Sequence, residues 1–383
     1  MLRRLINNFK KEDNNDVLDI NFLAQLIKDG YISQKFHNDY PLAILNYSKL
    51  AQFDEKLVWN NEMNLSRGLI YNTDTMEVVA VPFRKFWNIS DSRHPETMPE
   101  NLPNEIPLFL EKLDGSLGIL FEWDNLNHVA TRGSFHSDQA VWATNWLRTT
   151  HPNLQLPKEG TILAEILYKQ NKIVIDYDFE GLVVIGAINK ATTKEMNRDD
   201  LKVYCRVMEL NIVQEYKKSL NTCLSEDEKN REGYVLTYPS TGIKVKVKFE
   251  TYCQLHKILT NLNAHSIWEL LRDEKSQTIS DWLKDENMPD TFKKWVKTVW
   301  FSLIGKFENI LTEANHRYVS RPMTDPFMPY KESRKIMAQY FTLEENRKYS
   351  GLLFGMLDKK NIDKSIWKMI EPAGSDVFLV DGE

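Results

Sequence analysis

Lys112-Leu113-Asp114-Gly115-Ser116 stands between an apolar run at residues 107–110 and a β-type segment at residues 117–121. A lysine at the end of a strand, followed by a turn glycine, can aim an amine into a pocket while the backbone passes close beneath a ligand. If the chain stays extended through the motif, Lys112 and Asp114 share a face, because side chains alternate with period two. An ordinary hairpin turn also favours Asp-Gly, so these five residues need companions before they mean chemistry.

Outward from the motif, short β-type runs continue at residues 162–167, 173–175 and 182–188, and a helix is expected over residues 138–148, stopped by His151-Pro152. Upstream, apolar residues recur at helical spacing over 20–27, and residues 65–71 and 77–81 flank the polar turn Asn72-Thr73-Asp74-Thr75 as a hairpin. Beyond Lys248 the texture changes. Phe292, Trp295, Val296, Val299, Trp300, Leu303, Ile304 and Phe307 mark one apolar helix face, which makes the tryptophans here core residues. Ser266 with Glu269, and Thr342 with Glu345, have capping-box spacing. The reading is a mixed α/β (α+β) body over residues 1–254, of mainly antiparallel sheets with flanking helices, then an all-helical domain over residues 255–383.

Two further clusters carry charge in a pattern. In Ile243-Lys244-Val245-Lys246-Val247-Lys248, the valines take one face of a strand and Lys246 and Lys248 the other, so one side packs and the other offers two ammonium groups to a phosphate. Glu165 and Glu232 each sit at the border of a β-type segment, where a carboxylate suits a metal-bound water or a ribose hydroxyl. A solvated basic strand and two surface acids would produce the same letters.

The set as a whole resembles the lysine-adenylating nucleotidyltransferases, and within them the T4-phage type of RNA ligase. Lys112 to Gly115 is similar to the family's nucleophile motif, and Thr131-Arg132-Gly133-Ser134-Phe135 to its second. Leu163-Ala164-Glu165-Ile166 is similar to the third, Glu232-Gly233-Tyr234-Val235 to the fourth and Ile243-Lys244-Val245-Lys246-Val247-Lys248 to the fifth, all in the family's order. Arg67-Gly68, Pro82-Phe83-Arg84-Lys85-Phe86-Trp87-Asn88 and Asn171-Lys172-Ile173-Val174 extend the likeness, which covers about residues 60 to 256. Two positions depart from the pattern: Arg132, where relatives often carry lysine, and Phe249, where a polar residue is usual.

The resemblance implies catalytic roles for Lys112, Asp114, Glu165, Glu232, Lys246 and Lys248. It implies nucleotide-binding roles for Arg67, Lys85, Glu111, Lys112, Gly115, Glu165, Lys246 and Lys248. Within these, Arg67 and Lys85 would take the β and γ phosphates, Glu165 the ribose and Glu232 the metal. The cofactors implied are ATP and Mg²⁺, with Mn²⁺ as a substitute. Lys112 must lose its proton to attack the α-phosphorus, and Lys246, Lys248 and the metal are expected to disfavour its charged form.

Composition narrows the class further. Of 383 residues 42% are apolar, enough for real cores, yet the longest apolar stretch, near residues 182–188, is far short of a membrane span. Arg3-Arg4 is followed only by Leu5-Ile6 before Asn7-Asn8, so neither a signal peptide nor an anchor is expected. Three scattered cysteines, Cys205, Cys223 and Cys253, suggest no disulfide framework and a reducing cytoplasm. A formal net charge of -5 requires any polynucleotide to be gripped by a local basic groove. No Walker A pattern is present, and His128 and His136 fit no zinc spacing.

Family members that act on DNA or caps carry a strand-rich OB-fold after the fifth motif, whereas this chain turns helical. The expectation is therefore an ATP-dependent RNA ligase, monomeric and cytoplasmic, that joins a 5'-phosphate to a 3'-hydroxyl of RNA, with a nicked tRNA as a candidate substrate for repair. The alternatives are a non-catalytic nucleotide- or RNA-binding module of the same fold, and a ligase acting on single-stranded DNA.

Overall fold

A computed structural model of the chain describes residues 20–54, 57–171, 173–285, 288 and 290–372. The Arg3-Arg4 segment and Lys172 lie outside the described residues. The chain divides into two compact units at residues 254 and 255.

The first unit is built from three sheets. Sheet one runs β1 (Ile32–Phe36), β2 (Leu42–Tyr47), β3 (Arg67–Asn72) and β4 (Val78–Ala80), all antiparallel. Sheet two has the order β11 (Asn211–Ile212), β10 (Gly181–Asn189), β9 (Gly160–Leu167), β7 (Ser116–Trp123) and β8 (Leu126–Ala130). Sheet three has the order β12 (Glu215–Tyr216), β6 (Leu108–Lys112), β13 (Gly233–Thr237), β14 (Lys244–Lys248) and β5 (Trp87–Asn88). Only the β10–β11 and β14–β5 pairs are parallel.

Sheet two is the middle layer, which explains why β9 and β10 read as nearly continuous apolar runs. Ile119, Phe121, Leu163 and Ile188 on one side pack with Leu45, Leu69 and Ile70 of sheet one. Ile162, Ala164, Ile166 and Val184 on the other pack with Ala143 and Leu147 of the helix Asp138–Thr150 and Leu201 of the helix Arg198–Val207. Leu110 and Leu113 join Leu167, Val183 and Val213, tying sheet three to sheet two. Each fully buried apolar side chain in these layers is worth about 1.5–3 kcal/mol, so the strand ends that carry charge rest on a stiff frame.

The second unit is helical, as expected: among the described residues its elements are helices and connecting turns. The helix Asp290–Val319 packs against Ala264–Arg272, Ser276–Lys284, Ser350–Leu357 and Asp363–Met369. Phe292, Val296 and Leu303 of its apolar face are fully buried. No helix among the described residues is long and apolar enough to cross a membrane.

Four expectations of local structure are corrected. Residues 173–175 form a bend and not a strand, because their amides are spent on a side chain and not on a ladder. The capping box of the helix Ala264–Arg272 uses Asn263 and Ser266, one turn before Ser266 with Glu269. Thr342 closes the helix Tyr330–Phe341 at its C-terminus, its hydroxyl donating to the Ala338 carbonyl, so it opens no capping box. Glu165 lies inside β9 and not at its border.

Candidate active site

Strand register builds the site. Gly233 of β13 pairs with Lys112 of β6 on one side and with Lys248 of β14 on the other, so the three form one row across sheet three. Gly233 has φ 139, and a Cβ there would lie 2.0 Å from the Val247 carbonyl oxygen, so only glycine lets the chain enter the row at this angle. Glu232, just before it, reaches over the row. Its Oε2 accepts from Lys112 Nζ at 2.8 Å and its Oε1 from Lys248 Nζ at 3.0 Å. Glu232 is 2% exposed, and burial, which alone would raise its pKa, is outweighed by the two ammonium groups, which hold the carboxyl below its usual range.

Lys112 answers the same way, against expectation. Burial disfavours its ammonium, but the charges of Glu232, Glu165 and Asp114 prevail and raise its pKa above that of ordinary lysine. The lysine whose charge is disfavoured is Lys246: burial comes first, and Lys112, Arg67, Lys85 and Lys248 add to it, so its pKa falls well below the ordinary value. Nζ of Lys246 sits 4.9 Å from the Phe86 ring centre.

Asp114 does not share a face with Lys112, because β6 ends at Lys112 and the chain turns. Its carboxylate, 3% exposed, accepts from the amides of Val174 and Ile175 through Oδ2 at 2.7 and 2.9 Å, and from the Tyr252 hydroxyl through Oδ1 at 2.7 Å. Its own amide donates to the Tyr177 hydroxyl at 2.7 Å. Asp114 therefore pins the turn after Lys112. Packing requires glycine at 115: a Cβ would meet the Ile166 carbonyl oxygen at 2.5 Å. Its amide donates to Glu165 Oε1 at 3.1 Å. Burial, helped by Glu232 and Asp114 and opposed by Lys112, pushes the Glu165 carboxyl up to about 7.

On the far side stands a cationic group gathered on Tyr47. Its hydroxyl accepts from Lys85 Nζ at 3.0 Å and from Arg132 Nη1 at 2.6 Å. Lys85 also lies over the rings of Tyr47, Trp87 and Trp59, at 4.5, 4.7 and 5.5 Å. Arg67 lies over Phe86, and its buried Nη1 has no hydrogen-bond partner. An orphaned guanidinium nitrogen beside caged cations is what an anion site looks like before its anion arrives.

Glu111 does not join these groups. Consecutive strand residues face opposite ways, and its carboxylate meets Arg231 Nε at 3.5 Å and the Tyr216 hydroxyl at 3.4 Å on the other side of sheet three. Its side chain therefore faces away from the row of Lys112 and Lys248. Phe249 is 1% exposed and packs on Tyr234. His128 is half-buried: it stacks on Phe121, and burial together with Arg148 lowers its pKa to about 4. His136 lies edge-on to His37, 4.5 Å between ring centres.

Tyr47, Trp59, Tyr177 and Tyr252 were not found by reading motifs, since aromatic residues at irregular spacing give no signal of their own. Among the described residues no three His, Cys, Asp or Glu converge on one point. One carboxylate, Glu232, spanning the row of Lys112, Gly233 and Lys248, fits a Mg²⁺ that draws most of its ligands from phosphate and water.

Residues 65–253 match the family model described as RNA ligase. A candidate RNA ligase of Thermovibrio ammonificans is 24% identical over 231 residues, which cover 56% of this chain and 59% of that protein. A candidate bifunctional polynucleotide kinase/RNA ligase of Autographa californica nuclear polyhedrosis virus is 25% identical over 252 residues, 58% of this chain and 34% of that protein. The chain thus spans less than two thirds of the length of either relative. Among solved structures, an archaeal ATP-dependent RNA ligase aligns at a TM-score of 0.45 with 11% identity, over 76% of this chain and 79% of that one. A candidate ATP-dependent DNA ligase of Aquifex aeolicus aligns at 0.44 with 14% identity, over 89% and 99%. Scores this low carry no weight for function.

Proposed function

We propose, from the match of residues 65–253 to the RNA ligase family model, that this chain is an ATP-dependent RNA ligase working through a lysyl-AMP on Lys112. The observation that carries this reading is the row Lys112, Gly233, Lys248 spanned by the buried carboxylate of Glu232. It puts a candidate nucleophile and a candidate phosphate-binding cation each within hydrogen-bonding distance of one candidate acid.

In this reading the α-phosphate lies against Lys246 and Lys248, and the β and γ phosphates lie toward Arg67 and Lys85. The ribose lies near Glu165. Lys112 Nζ forms a bond to the α-phosphorus while the bond to the β-phosphate oxygen breaks, and pyrophosphate leaves with the electron pair. Lys112 is protonated while Glu232 holds it, so the pair must part first. Once it does, burial favours the neutral amine, against the remaining charges of Glu165 and Asp114. Glu232 is the side chain that would hold Mg²⁺ or Mn²⁺, which supplies charge neutralisation at the phosphates. The adenylate then passes to an RNA 5'-phosphate, and a 3'-hydroxyl displaces AMP to close a phosphodiester.

The helical unit is assigned the choice of RNA, with a nicked tRNA undergoing repair as the substrate class, and the chain is taken to act as a cytoplasmic monomer. The test is incubation with α-labelled ATP and Mg²⁺, read as label that survives denaturing electrophoresis. The intact chain should be labelled, and Lys112→Ala should not. Equal labelling of both sinks the assignment of the nucleophile, and label on neither turns the reading to a nucleotide-binding module. Sealing of 5'-phosphorylated RNA against DNA in parallel tests the polymer; preference for DNA overturns that part.

A further inference from the structure

An open cavity lies within the helical unit. It has a volume of about 600 Å³ and is walled by the helix Asp290–Val319, the turn Glu344–Tyr349 and the end of the helix Asp363–Met369. That size suits one nucleotide-sized ligand. The long helix contributes Lys306, Asn309, Ile310 and Glu313, one face at helical spacing. The turn contributes Lys348 and Tyr349, and Met369 and Ile370 close the apolar side.

The charges of this cavity are not balanced by one another. Glu313 is engaged by Arg317 Nη2 at 3.3 Å and Glu371 by His265 Nε2 at 3.2 Å. Lys306 and Lys348 have no carboxylate partner among the described residues, and Lys348 lies 5.5 Å from the Tyr349 ring centre. Arg317 lies over the same ring at 4.8 Å, and its buried Nε has no hydrogen-bond partner. Two free ammonium groups at the rim, an aromatic and aliphatic floor and an amide from Asn309 together match a ligand with an anionic end and a planar, hydrogen-bonding end.

We propose that this cavity is a binding site for a nucleoside monophosphate unit, free or as one residue of an RNA strand, with Lys306 and Lys348 on its phosphate and its base against Ile310, Tyr349 and Met369. The site is independent of the lysyl-AMP reading, since none of its residues belongs to the first unit.

The test irradiates the full chain with 5-iodouridine 5'-monophosphate and, separately, with a 5'-phosphorylated RNA strand carrying 5-iodouridine, and maps labelled peptides by mass spectrometry. Label on Tyr349 or Met369 is expected from at least one probe. Label from the mononucleotide assigns a free nucleotide, and label from the strand alone assigns a grip on RNA. Lys306→Glu combined with Lys348→Glu should cut the label about tenfold, as expected for loss of charge-assisted contacts, whereas the two Lys→Arg changes should keep it. Asn309→Trp, which fills the cavity from an exposed position without changing charge, should abolish it. Absence of label in residues 306–372 from both probes, or equal label in the Lys→Glu and Asn309→Trp variants, overturns the proposal. Labelling of Lys112 by ATP should be unchanged in all of them, so failure of either reading leaves the other standing.

Discussion

The two halves of the first unit's site handle positive charge in opposite ways. At Lys112 and Lys248 each ammonium is within 3.0 Å of the same buried carboxylate, and the cluster is nearly balanced. At Arg67, Lys85, Arg132 and Lys246 no carboxylate comes within ion-pair distance among the described residues, and aromatic rings and one tyrosine hydroxyl take its place. A balanced charge is stable without a ligand, whereas an unbalanced one stores a cost that an anion can relieve. Under the proposed function, one half is then the reactive centre held at rest and the other the attracting end.

Replacing Glu232 by Ala should have the largest effect, because two ammonium groups would then face each other without a counter-charge. We expect a loss of roughly 3 kcal/mol in urea unfolding, at the low end for a broken buried pair because both lysines keep some exposure. An unchanged midpoint would show that the pair is not the stabilising half.

Lys246→Met should act in the reverse sense and more weakly. Removing a buried, repelled ammonium should leave stability equal or about 1 kcal/mol higher, while labelling of Lys112 at limiting ATP falls. The pH dependence sharpens the contrast. With its folded pKa depressed, charged Lys246 penalises the native state at low pH, and that penalty fades as pH climbs toward the ordinary lysine range. The gap between variant and parent should therefore close on going from pH 6 to pH 9.5. Lys112 has the opposite sign: its raised pKa gives stability that is complete below the ordinary lysine value and is lost only as pH rises through the raised one. A gap that widens with pH would refute the assignment of the buried cation.

Tyr252→Phe should give the smallest change. It removes one of three hydrogen bonds to the Asp114 carboxylate, for about 1 kcal/mol. Because Asp114 pins the turn after the nucleophile, the maximal rate of Lys112 labelling should drop a few-fold with the half-saturating ATP concentration unchanged. A change in the latter alone would mean that Tyr252 meets the nucleotide directly.

Much of this was readable in the letters where local rules decide. The Lys-Val alternation of β14 put its lysines on one face because a strand has no other choice, and Val245 and Val247 are buried as that requires. The same rule, applied to Glu111 beside Lys112, would have sent its side chain to the opposite face. The helical periodicity of the second unit was equally plain. The bend at 173–175 was not, since its apolar letters match a strand and only the Asp114 carboxylate diverts its amides. Tyr47 was invisible for a similar reason: its importance comes from three cations that reach it from β3, the segment after β4 and the loop after β8.

Residue order was therefore enough to name the charged groups, to sort them onto strand faces and to separate a sheet-built body from a helical one, because those features depend on neighbours a few positions apart. The protonation of Lys112 and of Lys246 was beyond its reach. Each depends on which charges and how much water surround an amine after segments more than a hundred residues apart have come together, and there folding reversed the expected order, favouring charge on the candidate nucleophile and disfavouring it on its neighbour.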